Sequence, residues 1–456
     1  MDRRMNAMQN LVSACSCAAL LLAIVGCTQS PQADEALAQR ARSYLSLPGL
    51  RGAQLPQLAA ECQKIETARQ APQQLDAGLS GNRYESLAGV FPALSRGALQ
   101  CEVNSLWPEV SLRVEPGALQ RARELLQQQA AARQRFERAM RETSSRAPLR
   151  LADALLADDE WLDAIQIGCR LEGFAAADAL AEEQPTAALE PLARMLLVSR
   201  QLAREMNLNA RLAAGELRAD ALQVVHAIAT HPATAAETLQ RLQKLLALQL
   251  TDWPSDERVW IAERAQGLLT YEVARAGNFT ALLAAEQQAD LQRKGLLAAT
   301  ATAALRNIDQ DELFYLRAME QQIAAARLPF WQRRTALESL QAELRTRAES
   351  GEFPLVAGTL LLAGIDESQR RLAADRTRCE AWLIVLTTVC DFPLGSPPPC
   401  PLTGQAYEVH ADRERVSIAG LSLRPGETIE ALRPGVIQAR RRAAGFELTP
   451  PALRLQ

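Results

Sequence analysis

Two clusters of carboxylates are the first candidates for chemistry. Asp158-Asp159-Glu160 precedes Trp161, and Asp309-Gln310-Asp311-Glu312 precedes Leu313-Phe314-Tyr315. Paired acids beside aromatic rings can protonate and attack a glycosidic bond. Acids also gather at helix N-termini, where they complement the positive end of the helix dipole. The second use is the commoner and is the one expected here. The histidines His226, His231 and His410 do not read as a metal set. His226 and His231 are five residues apart rather than i,i+4, and no HExxH occurs. His231 beside Pro232 reads as a helix end and His410 as solvated. Neither GxSxG, a P-loop nor a dinucleotide fingerprint is present. Arg440-Arg441-Arg442 could touch anionic lipid, but a run of this length reads as a solvated helix face. No cofactor and no metal are expected.

The N-terminus is more specific. Arg3 and Arg4 precede an apolar stretch over 11–26 that is shorter than the ~20 residues a spanning helix needs. It reads as an export signal. The stretch ends Ile24-Val25-Gly26-Cys27, which resembles the lipobox of bacterial lipoproteins. The resemblance implies a diacylglycerol on the Cys27 thiol and cleavage before it, with 1–26 as signal peptide and 27–45 as lipidated cysteine and tether. Val12-Ser13-Ala14-Cys15 fits the same pattern but has no apolar run in front of it, and is rejected. Thr28 follows Cys27; in Gram-negative lipoproteins an aspartate there usually retains the protein in the inner membrane, so the resemblance implies the outer membrane, periplasmic face. The lipid would anchor the chain without making it span the bilayer.

Beyond Cys27 lie Cys62, Cys101, Cys169, Cys379, Cys390 and Cys400. In an oxidising compartment this even set suggests disulfides. Cys390 and Cys400 flank FPLGSPPP, and closing that loop would contribute about 3 kcal/mol in the chain-entropy model. Cys62 with Cys101 is the second expected pair. Cys169 and Cys379 are left to pair or to stay as buried thiols. Without a CxxC, redox and zinc chemistry are weak readings.

The elements that must position these residues are helical. The composition is rich in Ala and Leu with 4% aromatics, as in helix-on-helix packing. Net charge is −3, which argues against a nucleic-acid partner. Pro116-Gly117 opens a long helix with Leu119, Ala122, Leu126, Ala132, Phe136 and Met140 inward. Residues 151–183 continue helical. Residues 189–213 read as one amphipathic helix with Leu192, Met195, Leu202 and Met206 on one face and Arg194, Gln201, Arg204 and Arg211 on the other. His231-Pro232 ends a helix, and Thr234-x-x-Glu237 predicts a capping box for the next. Trp253-Pro254 sits in a loop, Ser255 caps the helix after it, and breaks fall at 328–331 and 351–354. No fixed internal repeat is found.

The last 65 or so residues change pattern. Tyr407 and Val409, then Val416 and Ile418, alternate with polar residues across the turn ADRER, which predicts a β-hairpin. The stretch Cys400-Pro401-Leu402-Thr403-Gly404-Gln405-Ala406-Tyr407 resembles a P-x-[ST]-G-x-x-Y hairpin at the ends of uncharacterised helical bacterial proteins, with cysteine where their usual form has aspartate. That resemblance implies architecture only.

The expected fold is therefore mainly α, an irregular multi-helix bundle or array over 46–390. A Pro-rich loop and hairpin follow over 391–425, then a tail over 426–456 that holds one short helix. The leading functional reading is a non-enzymatic, lipid-anchored envelope scaffold or accessory subunit with an envelope protein partner. It would be supported by a surface groove of exposed Leu, Trp or Met. A carbohydrate-acting enzyme would need an acid cluster to converge with Trp161, Trp253 or Trp260. A binder of a small apolar ligand would need a closed apolar cavity.

Overall fold

In a computed structural model of the chain, residues 90–91, 93–108, 116–141, 160–283, 285–393, 395–419, 421, 423 and 429–434 are described. Cys27, Cys62, Asp158, Asp159 and Arg440-Arg441-Arg442 lie outside them, with the signal, tether and most of the tail. The described residues form thirteen α-helices and one three-stranded antiparallel sheet.

The helices follow local signals. Pro116 opens α2 (Pro116–Gln128), as its fixed φ and missing N–H favour at the first turn; α1 (Ala93–Pro108) precedes it and α3 (Ala130–Arg141) follows. Then come α4 (Glu160–Ala181) and α5 (Leu189–Leu202). The expected single helix over 189–213 is broken after Leu202. Asn207 starts α6 (Leu208–Thr230) by accepting the Ala210 N–H at 3.0 Å. That break turns Arg211 from the expected polar face into the interior, where it is 1% exposed.

α7 (Ala236–Thr251) starts one residue later than a capping box at Thr234 would place it. The N-cap is Ala235, and the Thr234 hydroxyl instead donates to Ile228 O at 2.6 Å, tying the two helices together. Ser255 does cap α8 (Asp256–Val273), accepting from Glu257 N at 3.2 Å. α8 runs into a π turn, Ala274–Asn278, and α9 (Ala285–Arg293), α10 (Leu297–Arg306), α11 (Ile308–Ala325) and α12 (Phe330–Ser350) follow. α12 stops at Gly351, whose φ of +76° is the left-handed value glycine adopts freely. A second π turn, Ala357–Leu361, leads to α13 (Ile365–Val389).

Two hydrophobic cores result. The first joins α1–α7 to the C-terminal half of α13 and the sheet, through residues such as Phe174, Leu192, Val225, Leu242, Trp382 and Val385. The second joins α8–α12 to the N-terminal end of α13, through Trp260, Tyr271, Tyr315, Leu316, Leu340 and Leu372. Each fully buried Leu, Val or Phe contributes roughly 1.5–3 kcal/mol relative to exposure.

The sheet is a meander of β1 (Val409–Ala411), β2 (Arg415–Ile418) and β3 (Ile429–Leu432), with Val409 opposite Ile418 and Val416 opposite Ala431. The hairpin is as expected. Its turn is closed by Asp412, whose Oδ1 accepts from Glu414 N at 2.7 Å and Arg415 N at 2.8 Å. β3 is a third strand that the sequence pattern did not mark, and the short helix expected in the tail falls on a stretch that lies mostly outside the described residues. Ile429 and Ala431 alternate with Glu430 and join Val416 and Ile418 in the first core, and this face lies on α6 and α13.

Candidate functional site

The acidic run at the start of α11 is split by its own periodicity. Gln310 lines a surface groove, whereas Asp309 is 3%, Asp311 5% and Glu312 0% exposed. Arg275, in the first π turn, reaches Asp309 at 2.5 Å and Glu312 at 2.6 Å. Burial opposes the guanidinium charge, but the two carboxylates outweigh it and raise its pKa. Asp311 serves the second π turn. Its Oδ1 accepts the Tyr271 hydroxyl at 2.7 Å and Ala357 N–H at 2.9 Å, and its Oδ2 accepts Val356 N–H at 2.8 Å. Burial lifts the Asp311 pKa above the ordinary carboxylate value, and these donors hold the rise back. One helical turn of acids therefore anchors both π turns.

The tryptophans named for a sugar cleft lie elsewhere. Trp260 is buried in the second core, and Trp161 packs partly buried against the first. Trp253 sits in the loop between the cores, with the guanidinium of Arg218 at 4.8 Å and of Arg211 at 5.5 Å from its ring centre. Its neighbours in sequence, Asp252 and Asp256, are held by arginines: Asp252 by Arg200 and Arg204, Asp256 by Arg211 at 3.3 Å and Arg333 at 2.9 Å.

That loop is the centre of a buried ionic junction. Arg211 also donates to Ala203 O at 2.6 Å and Pro254 O at 3.0 Å. Arg218 pairs with Asp375 and donates to Ser199 O at 3.3 Å. Arg333 reaches Leu328 O at 2.6 Å and Ala326 O at 2.9 Å. Burial lowers the Arg211 pKa, with Asp256 opposing. For Arg218, Asp375 outweighs burial and raises it. Sequence reasoning missed this junction, because arginine on an amphipathic helix reads as solvent-facing.

Two grooves open near these clusters. One, of about 430 Å³, runs between α11 and α12 and is lined by Gln310, Phe314, Arg317, Gln321, Glu343 and Arg347; the Arg347 guanidinium lies 4.8 Å from the Phe314 ring centre. The other, of about 320 Å³, lies between α6 and α13, where Arg211 and Asp375 of the junction meet Gly215, Glu216, Glu367 and Arg371. Both are lined mainly by charged and polar side chains, unlike the closed apolar cavity expected of an apolar-ligand binder.

Cys169, Cys379, Cys390 and Cys400 are free thiols. Cys101 is exposed, while Cys169 and Cys379 are buried in the first core, where burial raises both thiol pKa values. The expected Cys390–Cys400 bridge is not formed. Cys400 Sγ faces Thr377 Oγ1 at 3.7 Å. Cys390 caps the far end of the same helix, thirteen residues on, or roughly 20 Å along the axis at ~1.5 Å per residue. The Cys62–Cys101 pair lies partly outside the described residues.

The CPLTGQAY stretch is a clasp. Cys400 N–H donates to Gln405 O and Gly404 N–H to Cys400 O, both at 2.8 Å. Gly404 has φ +75° and lies against the Trp331 ring, so a Cβ there would sit 2.6 Å from it. Trp331 N–H donates to Pro401 O at 3.4 Å, and the Tyr407 hydroxyl donates to Glu380 at 2.8 Å. The motif thus fastens α12, α13 and the sheet. His226 packs edge-on to Trp382 with ring centres 6.1 Å apart; burial lowers its pKa against a smaller opposing effect of Glu430. His231 ends α6 and its Nδ1 accepts Ala233 N–H, while His410 is exposed. No helix of the described residues is long and apolar enough to cross a membrane, and no group of three or more His, Cys, Asp or Glu there could hold a metal. Comparison with protein-family models, with curated protein sequences and with solved structures found no match to this chain.

Proposed function

We propose that this chain is a lipid-anchored envelope protein, held at the outer membrane through Cys27, that acts as a scaffold or accessory subunit for another envelope protein. The observation that carries the non-enzymatic reading is the use made of the acidic run. Asp309, Asp311 and Glu312 are each bound by the chain's own groups in the interior, in a structural role. The lipobox resemblance carries the anchor. A surface for the partner is offered by α10, in which Ala304 alone is buried while Leu305 and the preceding Leu296 are 36% and 49% exposed.

The test is cross-linking of the lipidated chain in cells, followed by affinity capture and mass spectrometry. One envelope protein captured near one-to-one, and lost on Leu305→Glu, supports the reading. Capture of nothing above background overturns the scaffold reading. Continued sedimentation of Cys27→Ser with membranes overturns the anchor.

A further inference from the structure

The Pro-rich segment after α13 presents more than a connection between α13 and the sheet. From 392 to 401 the chain reads Phe-Pro-Leu-Gly-Ser-Pro-Pro-Pro-Cys-Pro and carries no charged side chain. Each proline ring fixes its own φ at about −65°, and the residue before a proline is pushed out of the α region. Ser396, Pro397, Pro398 and Cys400 each precede a proline, so the backbone there is driven towards polyproline II. Burial follows the same geometry. Cys400 is buried and Pro397, three residues earlier, is half-buried, while Gly395, Ser396, Pro398 and Pro399 are exposed. A period of three is that of polyproline II, not that of a strand or an α-helix. One edge of this three-sided rod lies on the protein. The other two, carrying 395 with 398 and 396 with 399, face outward.

Both ends of the strap are fixed. Phe392 N–H donates to Thr387 O at 3.1 Å as α13 ends, and Arg433 holds Asp391 at 3.2 Å. At the other end Cys400 is 1% exposed and its N–H donates to Gln405 O at 2.8 Å. Between these anchors, among the described residues, no hydrogen bond reaches 395–399. Pro397, Pro398 and Pro399 have no N–H to offer, so the strap presents carbonyl oxygens and apolar ring faces. A segment already held in this shape has little further entropy to lose on binding. Grooves lined with aromatic side chains recognise such a rod: their rings enclose the proline ridges, and an indole N–H or a tyrosine hydroxyl donates to the carbonyls. An anionic bilayer finds no cation in the strap to attract it.

We propose that the strap over 395–399 is a docking ligand for a protein domain with an aromatic-lined polyproline groove. The proposal rests on the scaffold reading for the existence of a protein partner. It adds the chemistry of that partner's site and a second contact besides α10.

The test is isothermal titration calorimetry on the full chain in detergent, with isolated SH3, WW and EVH1 domains as probes and poly-L-proline as competitor. At least one domain is expected to bind saturably and to be displaced by poly-L-proline. Replacing both exposed rings, Pro398→Ala with Pro399→Ala, is expected to weaken that binding at least tenfold while the circular-dichroism spectrum stays that of the wild type. If that chain does not fold, Gly395→Glu carries the test. A Cβ at Gly395 meets nothing within 4 Å, so the new charge stands on an outward edge of the strap, and the same loss is expected. Leu305→Glu is expected to leave the binding unchanged. Four results overturn the proposal: no domain binds, poly-L-proline does not displace the domain, binding survives in the folded strap variants, or Leu305→Glu costs as much as they do. Domain binding in this assay, with no partner captured in cells, supports the strap and overturns the scaffold reading alone.

Discussion

Asp311→Asn isolates the role of the acidic run. The aspartate accepts three hydrogen bonds in the interior, from Tyr271, Val356 and Ala357. Asparagine keeps one oxygen. If that oxygen retains Tyr271 and Ala357, the new amide group faces Val356 N–H donor to donor. If the amide is flipped, two donors lose their acceptor instead. An unsatisfied buried donor costs about 1–3 kcal/mol, and bonds to a charged acceptor are at the strong end, so the substitution is expected to cost about 2–4 kcal/mol. Asp311→Ala strands all three donors and is expected to cost about 3–6 kcal/mol on the same reasoning. Asp290→Asn is the control. It breaks exposed pairs with Arg293 and Lys294, and such pairs contribute about 0–1 kcal/mol. Urea unfolding followed by circular dichroism gives the free energies, and hydrogen exchange at Val356 and Ala357 localises the loss. If Asp311→Asn lies within about 0.5 kcal/mol of wild type with those two amides still protected, the anchoring argument fails. A variant of normal stability that loses a cellular activity would return the carboxylate to chemistry.

Other consequences can be measured as directly. Burial raises the Glu263 pKa from 4.5 to about 7, so its stabilising neutral form is fully present below 4.5 and is lost as pH rises through 7. Glu263→Gln is therefore expected to be neutral near pH 4 and to stabilise by about 1–3 kcal/mol near pH 8, the lower figure reflecting its partial exposure. A gain that does not vary with pH would contradict this. Gly404→Ala places a Cβ at φ +75° against Trp331 and is expected to cost about 1–2 kcal/mol, with a shift in tryptophan emission as the indole moves aside. Unreduced peptide mapping is expected to recover Cys390 and Cys400 in separate peptides; a linked pair would refute the placement of Cys400 beside Thr377.

Much of the helical plan is legible because proline, glycine and serine act locally. Pro116, Ser255, Trp253-Pro254 and Gly351 each mark a boundary that the fold uses. The misses arise where a side chain had two possible partners. The Thr234 hydroxyl chose Ile228 O over a capping bond, which shifted α7 by one residue. Asn207 restarted the helix within 189–213 and so reversed the side on which Arg211 lies. β3 is four residues long, too short for alternation to outweigh helical propensity, and only docking on α6 and α13 defines it. The junction of Arg211, Arg218 and Arg333 brings together residues more than a hundred positions apart, and no local pattern encodes it. The acidic run was legible as a structural feature, but its targets, two π turns on either side of α11 in sequence, were not.

The division of α13 between the two cores has a kinetic consequence. Its first turns belong with α8–α12, and its last turns complete the bundle begun by α1–α7. In sequence, the first core is interrupted: it stops near Leu246 and resumes at Cys379, with the whole second core between. The intervening segment can fold on contacts close in the chain. The first core instead needs the entropy of closing a loop of well over a hundred residues, a cost that rises only slowly with length but must be met before its last contacts form. A chain that emerges from its N-terminus forward therefore holds α1–α7 incomplete, their apolar faces uncovered, until the strands near residue 432 are free to dock. The inserted segment is ready first, and the segment made first closes last.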